Sequence, residues 1–194
     1  MIELINFILM LITAFIVLIT YIKSASPARL EQKIGKKAYK ISGRYRLISS
    51  FFMFIHLGQY GIYYFYPLHN GIPQFFPWNW QISIIIAVVI AIPSGYIWFR
   101  GTKDAGEETI IPKKEHHMYG GIYQKIRHPQ AAGEVWYWFV FAFLLQSPFL
   151  AAFSIIWIPI FIIMCLSEEK DLVLRYGNEY VKYREKTGFF LPKT

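Results

Sequence analysis

Long apolar stretches alternate along the chain with segments crowded by charge. Residues 4–22, 47–66, 82–99, 131–146 and 149–166 contain no Lys, Arg or Asp, and Glu134 is the one acid among them. A helix rising about 1.5 Å per residue needs roughly 20 residues to cross a ~30 Å hydrocarbon layer, a length the first three stretches reach. The last two are shorter, and Gln146-Ser147-Pro148 between them suits a tight turn. The pattern predicts an all-α integral membrane protein of five transmembrane helices, the last two a helical hairpin, because only helices satisfy their own backbone in lipid. Trp136, Tyr137 and Trp138 are suited to anchoring the fourth helix at the membrane interface.

Composition agrees with this picture. Hydrophobic residues make up 55% of the chain and charged residues 16%, which is too apolar for a soluble fold of 194 residues. The net charge of +8 is unevenly placed. All 20 Lys and Arg fall in residues 23–46, 100–127 and 167–194, and none in 67–81 or 146–148. Five crossings put these three regions on one face, which the positive-inside rule makes cytoplasmic, leaving the N-terminus outside. The first apolar stretch follows Glu3 rather than a basic start and is too long for a secretory signal, so a retained span is expected. Basic residues distributed by topology in this way do not form a nucleic-acid reading module. Cys165 stands alone inside the fifth stretch, where it can serve as an apolar filler but not in an internal disulfide or a cysteine metal cluster.

There is no repeat of 20 to 50 residues to suggest a solenoid or inverted transporter halves. Residues 1–99 read as a three-helix scaffold. Residues 100–194 hold nearly every unusual polar group, on a cytosolic loop, the hairpin 131–166 and an amphipathic C-terminal helix. In the third stretch Ala87, Ala91 and Gly95 recur every four residues and offer a face for close helix approach. Packing inside a monomer's bundle is the simpler use of that face, and a homodimer is the alternative. Pro93 is expected to kink the same helix. His56 must be bonded by a neighbour or line a cavity to be tolerated at its depth, and a structural role is the preferred reading.

Between Gly101 and Gly133 the chain is too polar for lipid and rich in aromatic and charged groups. Gly120-Gly121 allows a tight turn or close approach to a ligand, Tyr123, Arg127 and His128 follow within about one and a half helical turns, and Pro129 redirects the chain. Further on come Glu168-Glu169, an acidic pair beside the membrane that needs partners or a purpose, and then Tyr176-Gly177 with Tyr180 and Tyr183. The residues of the tail 170–194 place Leu172, Tyr176, Tyr180 and Tyr183 on one side of a helix that would cover this region.

In order and spacing, Gly121-Ile122-Tyr123, Arg127-His128-Pro129 with Gly133 four residues on, Glu168-Glu169 and the Tyr-Gly segment resemble the isoprenylcysteine carboxyl methyltransferases and their wider relatives, including phospholipid methyltransferases. The resemblance covers residues 118–190. It implies methyl transfer from S-adenosylmethionine, with S-adenosylhomocysteine as product, to a lipophilic acceptor drawn from the bilayer. An isoprenylated cysteine carboxylate is the leading acceptor and a phospholipid amine the alternative. A sterol-reductase relative using NADPH and a non-catalytic transporter or scaffold are competing readings. Carried over residue by residue, the resemblance makes Arg127, Glu168 and Glu169 catalytic. It lays Glu115, His116, His117, Met118, Gly121, Tyr123, His128, Pro129, Gln130, Ala131 and Glu168 along the cofactor.

The chemistry is compatible with those roles. The donor's zwitterionic end needs a cation for its carboxylate, from Arg127 or His128, and a carboxylate for its ammonium, from Glu168 or Glu169. Tyr123 suits a sulfonium through its aromatic face. Internal pairing of the two glutamates with Arg127, Lys125 or Arg175 is the simpler alternative. No metal is expected, since His116, His117 and His128 lack a carboxylate or cysteine at ligand spacing. Two positions depart from the family pattern. Ala131 stands where relatives carry an aromatic residue, and residues 160–166 lack the arginine associated with acceptor binding.

Overall fold

The structure, a computed structural model, describes residues 1–69, 71–109 and 120–193, apart from the side chains of Glu107 and Glu108. Among these residues the regular structure is helical: α1 (Ile2–Ser24), α2 (Pro27–Ile34), α3 (Lys37–Phe65), α4 (Trp80–Ala105), α5 (Pro129–Glu134), α6 (Tyr137–Leu144), α7 (Pro148–Ser154), α8 (Trp157–Tyr176) and α9 (Asn178–Lys186). Short 3₁₀ turns follow α4 at Gly106–Thr109 and precede α5 at Gly121–Gln124.

Local sequence explains where the helices stop. Gly35, Gly106 and Gly177 end α2, α4 and α8 in the left-handed region of φ, which costs glycine nothing. Asn79 caps α4 by accepting from Ile82 N–H, and Ser147 caps α7 by accepting from Leu150 N–H just before Pro148. Gln146 takes a positive φ in the expected turn and is held there by its own amide, which donates to Trp78 O at 2.6 Å.

Three helices are long and apolar enough to cross a membrane: Ile2–Ser24, Trp80–Ala105 and the run Pro148–Tyr176. This is fewer than the five predicted, for two physical reasons. Helix α3 has the length, but four basic residues in its first ten positions, then His56, Gln59 and a tyrosine cluster, lower its hydropathy. The run α5–α6 spans only residues 129–144, about 24 Å at helical rise. The outward faces remain lipid-like, with Phe54, Ile92 and Phe15 each more than 60% exposed.

Helix α1 packs along α3, α4 packs on α5 and α6, and α8 returns against α1 and α2. The core between them is aromatic. Trp138 and Trp157 stack at 4.2 Å with His56 edge-on to both. Fully buried His56 has its Nδ1 2.8 Å from the Thr13 hydroxyl, which also meets Gln59 Oε1 at 2.7 Å. A shared hydrogen-bond set of this kind helps a polar ring to be tolerated at such depth, while Nε2 finds no hydrogen-bond partner among the described residues. The small-residue face of α4 is used inside the bundle: Ala87 is buried and Gly95 faces the Tyr137 hydroxyl.

The tail differs from the single helix expected. Gly177 breaks it at φ +55°, α9 starts anew at Asn178, and the chain beyond returns to the segment before α5.

Candidate functional site

That return builds the site. Arg127 N–H donates to Gly188 O at 2.8 Å, Gly188 N–H to Lys125 O at 3.2 Å and His128 N–H to Phe189 O at 3.3 Å, a short parallel bridge between residues 126 and 188. The same residues face the end of α8. Arg127 Nε donates to Glu169 Oε1 at 2.7 Å, and Arg127 Nη1 donates to the carbonyls of Arg184 and Thr187. His128 lies between the two acids, with Nε2 3.1 Å from Glu169 and Nδ1 3.5 Å from Glu168. The segment before α5 therefore meets the acidic pair of α8, the approach that the sequence reading expected.

Burial of the His128 ring opposes a second proton, yet the Cys165 thiol and the Glu168 and Glu169 carboxylates around it outweigh that and hold it well above the usual imidazole range. A folded value raised this way contributes stability that is complete below pH 6.5, the ordinary histidine value, and is lost as pH rises through the higher folded one. Thermal unfolding of the wild type should thus weaken through the alkaline range more steeply than that of His128→Gln. Parallel pH profiles would refute this account.

The two glutamates have divided roles. Glu169 is buried, with Arg184 3.7 Å away as a third partner. Glu168 instead lines an open cleft and is held only loosely, 3.5 Å from His128 and 3.8 Å from Arg46. Tyr21, Ala25 and Pro27 form one wall of this cleft, Ala105 and Thr109 another, and Tyr123, Gln130 and Ala131 its inner side. Asp171, Arg175, Tyr180 and Tyr183 complete its lining. Tyr180 is 3% exposed, and its hydroxyl finds no hydrogen-bond partner among the described residues. A buried hydroxyl without a partner is costly, and one that lines a cleft is satisfied when a polar ligand binds.

Of the residues singled out from sequence, Tyr123, Arg127, His128, Gln130, Ala131 and Glu168 come together on this cleft. Gly121, Pro129 and Glu169 support it from behind. Gly121 has φ +62°, and a Cβ there would run into the Asp104 carboxylate, which accepts Ile122 N–H at 2.8 Å. Pro129 starts α5, packed on Gly101. Glu115, His116, His117 and Met118 lie outside the described residues. Arg127, assigned to the chemistry, has at least two of its donors engaged by Glu169 and by the tail carbonyls.

Sequence reasoning missed Tyr21, Arg46 and Asp171. Arg46 donates to Thr109 O, and Asp171 accepts from the backbone of Ala28 and Arg29 at the start of α2 while pairing with Arg175 at 2.8 Å. The cleft walls thus come from both sides of the 99/100 boundary. Only the placement of Arg46 at the foot of an apolar stretch could have signalled its part. No family model, curated protein or solved structure matches this chain.

Proposed function

We propose that the chain is a membrane methyltransferase, taking S-adenosylmethionine from the water side and a lipophilic acceptor from the bilayer. The observation that carries the reading is the cleft itself. It joins a loosely held carboxylate, an aromatic ring and an unsatisfied tyrosine hydroxyl at the charged end of a bundle whose other faces are apolar. S-adenosylmethionine, when bound, supplies a methyl group activated by its sulfonium. The protein's part is positioning and exclusion of water. Glu168 offers its oxygens to the donor's ammonium, Tyr180 donates from its free hydroxyl, and Tyr123 lends an aromatic wall. Glu169 and Arg127 hold the segment that carries these groups and act through it.

Topology supports the same reading. With α3 and the α5–α6 arm completing the three apolar spans, the chain crosses five times. All 20 basic residues then lie on the cleft's side, which makes the cleft and C-terminus cytoplasmic and the N-terminus external. The resemblance points to an isoprenylated cysteine carboxylate as acceptor, with a phospholipid amine as the alternative.

Calorimetry with S-adenosylhomocysteine on the purified protein tests the proposal. Glu168→Ala should weaken binding at least tenfold, with a smaller loss of thermal midpoint than Glu169→Ala, because Glu168 is 32% exposed and its ion pairs with Arg46 and His128 are long, at 3.8 and 3.5 Å. Wild-type affinity in that variant, or no binding in either protein, would overturn it.

A further inference from the structure

The protein's excess of positive charge sits in one corner. Residues 23–46 hold eight Lys and Arg against one acid, whereas 100–127 hold six against four acids and 167–194 hold six against five. The positive-inside rule accounts for the Lys and Arg of all three regions, but it is nearly indifferent to acids and so leaves their depletion in 23–46 unexplained. The single acid there, Glu31, accepts from the Tyr39 hydroxyl at 3.4 Å. A corner cleared of acids in this way projects an uncompensated positive potential, which favours an anionic partner.

That potential adjoins an apolar surface on the same helix. Along α3, Lys37, Lys40, Arg44, Leu47, Phe51 and Phe54 recur at intervals of three and four residues and so share one face. All six are exposed, the three apolar ones by 58%, 62% and 74%. None of the three cations makes an ion pair or hydrogen bond with a described residue. From Lys40 to Phe54 the face runs about 21 Å at helical rise, close to the ~20 Å depth of one bilayer leaflet with its headgroups. Helix α2 packs on α3, pinned by the Asp171 carboxylate, which accepts from the N–H groups of Ala28 and Arg29, and it adds exposed Arg29 and Lys33. At the charged end of α4, by contrast, Arg100 is already paired with Asp104 at 3.7 Å.

We infer that this corner of α2 and α3 is a binding surface for an anionic phospholipid, with the acyl chains along Leu47, Phe51 and Phe54 and the phosphodiester at Lys40 and Arg44. The surface is separate from the cleft and independent of the methyltransferase reading, and it rests on α3 standing in the membrane. Charge decides for an anionic lipid over a zwitterionic one, because a choline headgroup brings a cation of its own against these three. The apolar half of the face decides for a lipid over a free phosphate.

Electron paramagnetic resonance on the full-length protein in phosphatidylcholine vesicles tests this, with spin-labelled phosphatidylglycerol or spin-labelled phosphatidylcholine as probe. The share of each probe immobilised by the protein gives their relative affinity. The wild type should prefer phosphatidylglycerol by about threefold or more. That preference should fall toward unity in 1 M salt, where the screening length is about 3 Å. The triple variant Lys37→Gln, Lys40→Gln, Arg44→Gln should abolish it. The triple variant Lys170→Gln, Lys182→Gln, Lys186→Gln removes the same charge from exposed positions of α8 and α9 and should keep it. Equal affinity for the two probes in the wild type would overturn the inference. So would equal losses in the two triple variants, which would reduce the effect to net charge. Displacement of the phosphatidylglycerol probe by millimolar glycerol phosphate would also overturn it, since the site would then take a soluble anion.

Discussion

Replacing Glu169 by Ala is expected to lower the thermal midpoint by about 10 °C and to release the C-terminal segment. Glu169 is 4% exposed and meets Arg127, His128 and Arg184 within 3.7 Å. Without it, Arg127 keeps its carbonyl contacts to the tail but loses the only acid it pairs with among the described residues, in a site where its side chain is 9% exposed. Removing one partner of such a buried pair costs about 3–5 kcal/mol, because the remaining charge stays desolvated. For a chain of this length that corresponds to roughly 10 °C. Limited trypsin digestion should then cut early at Lys182, Arg184 and Lys186, which α9 carries. Glu169→Gln, which can still accept from Arg127, should lose less. An unchanged midpoint and digestion pattern in Glu169→Ala would show that the tail is held by other contacts.

The neighbouring Glu168→Ala, with a smaller stability cost and a large binding cost, is the instructive contrast. In the sequence the two acids are indistinguishable. They separate because consecutive helical positions point about 100° apart, one into the seam with Arg127 and the other into the cleft. Hydropathy made the spanning helices legible, since lipid selects apolar blocks directly. It misjudged the start of α3, which reaches back to Lys37 through Lys40, Arg44 and Arg46. Long basic side chains are good helix formers, and Lys37, Lys40 and Arg44 keep their charges exposed while Arg46 turns onto the cleft. The gathering of Arg127 and His128 with Glu168 and Glu169 was legible through the motif order. The contributions of Tyr21 and Arg46 were not, because a contact such as Arg46 with Glu168 leaves no local periodicity in either partner. Gly177 shows a different failure. The tyrosines at 176, 180 and 183 keep helical spacing through it, and the turn that separates α8 from α9 rests on one residue's freedom at φ +55°.

The largest effect on the fold should come from a residue that the motif presents as part of the site, Gly133. Substituting Leu there is expected to abolish folding or to lower the midpoint by more than the Glu169 change. A Cβ at this position would lie 2.7 Å from Trp98 Cβ and 2.8 Å from Trp98 N, and closer still to the Ser94 carbonyl. Two of these atoms are helix backbone in α4, which cannot swing aside as a side chain can. Overpacking a core normally costs about 1–3 kcal/mol. Here the clash acts on the whole α4–α5 interface, the contact that brings Thr109 to Gln130 at 3.0 Å and so forms one side of the cleft. Binding of S-adenosylhomocysteine should therefore fall together with the midpoint, whereas Glu168→Ala separates the two. Gly58→Ala is the matched control: it sits mid-helix in α3 with nothing within 4 Å of the new Cβ. Losing glycine's extra backbone freedom there should leave stability level or raise it slightly, by about 0.5–1 kcal/mol. If Gly133→Leu behaved like Gly58→Ala, α4 and α5 would not be in close contact, and the cleft described above would lose one of its walls.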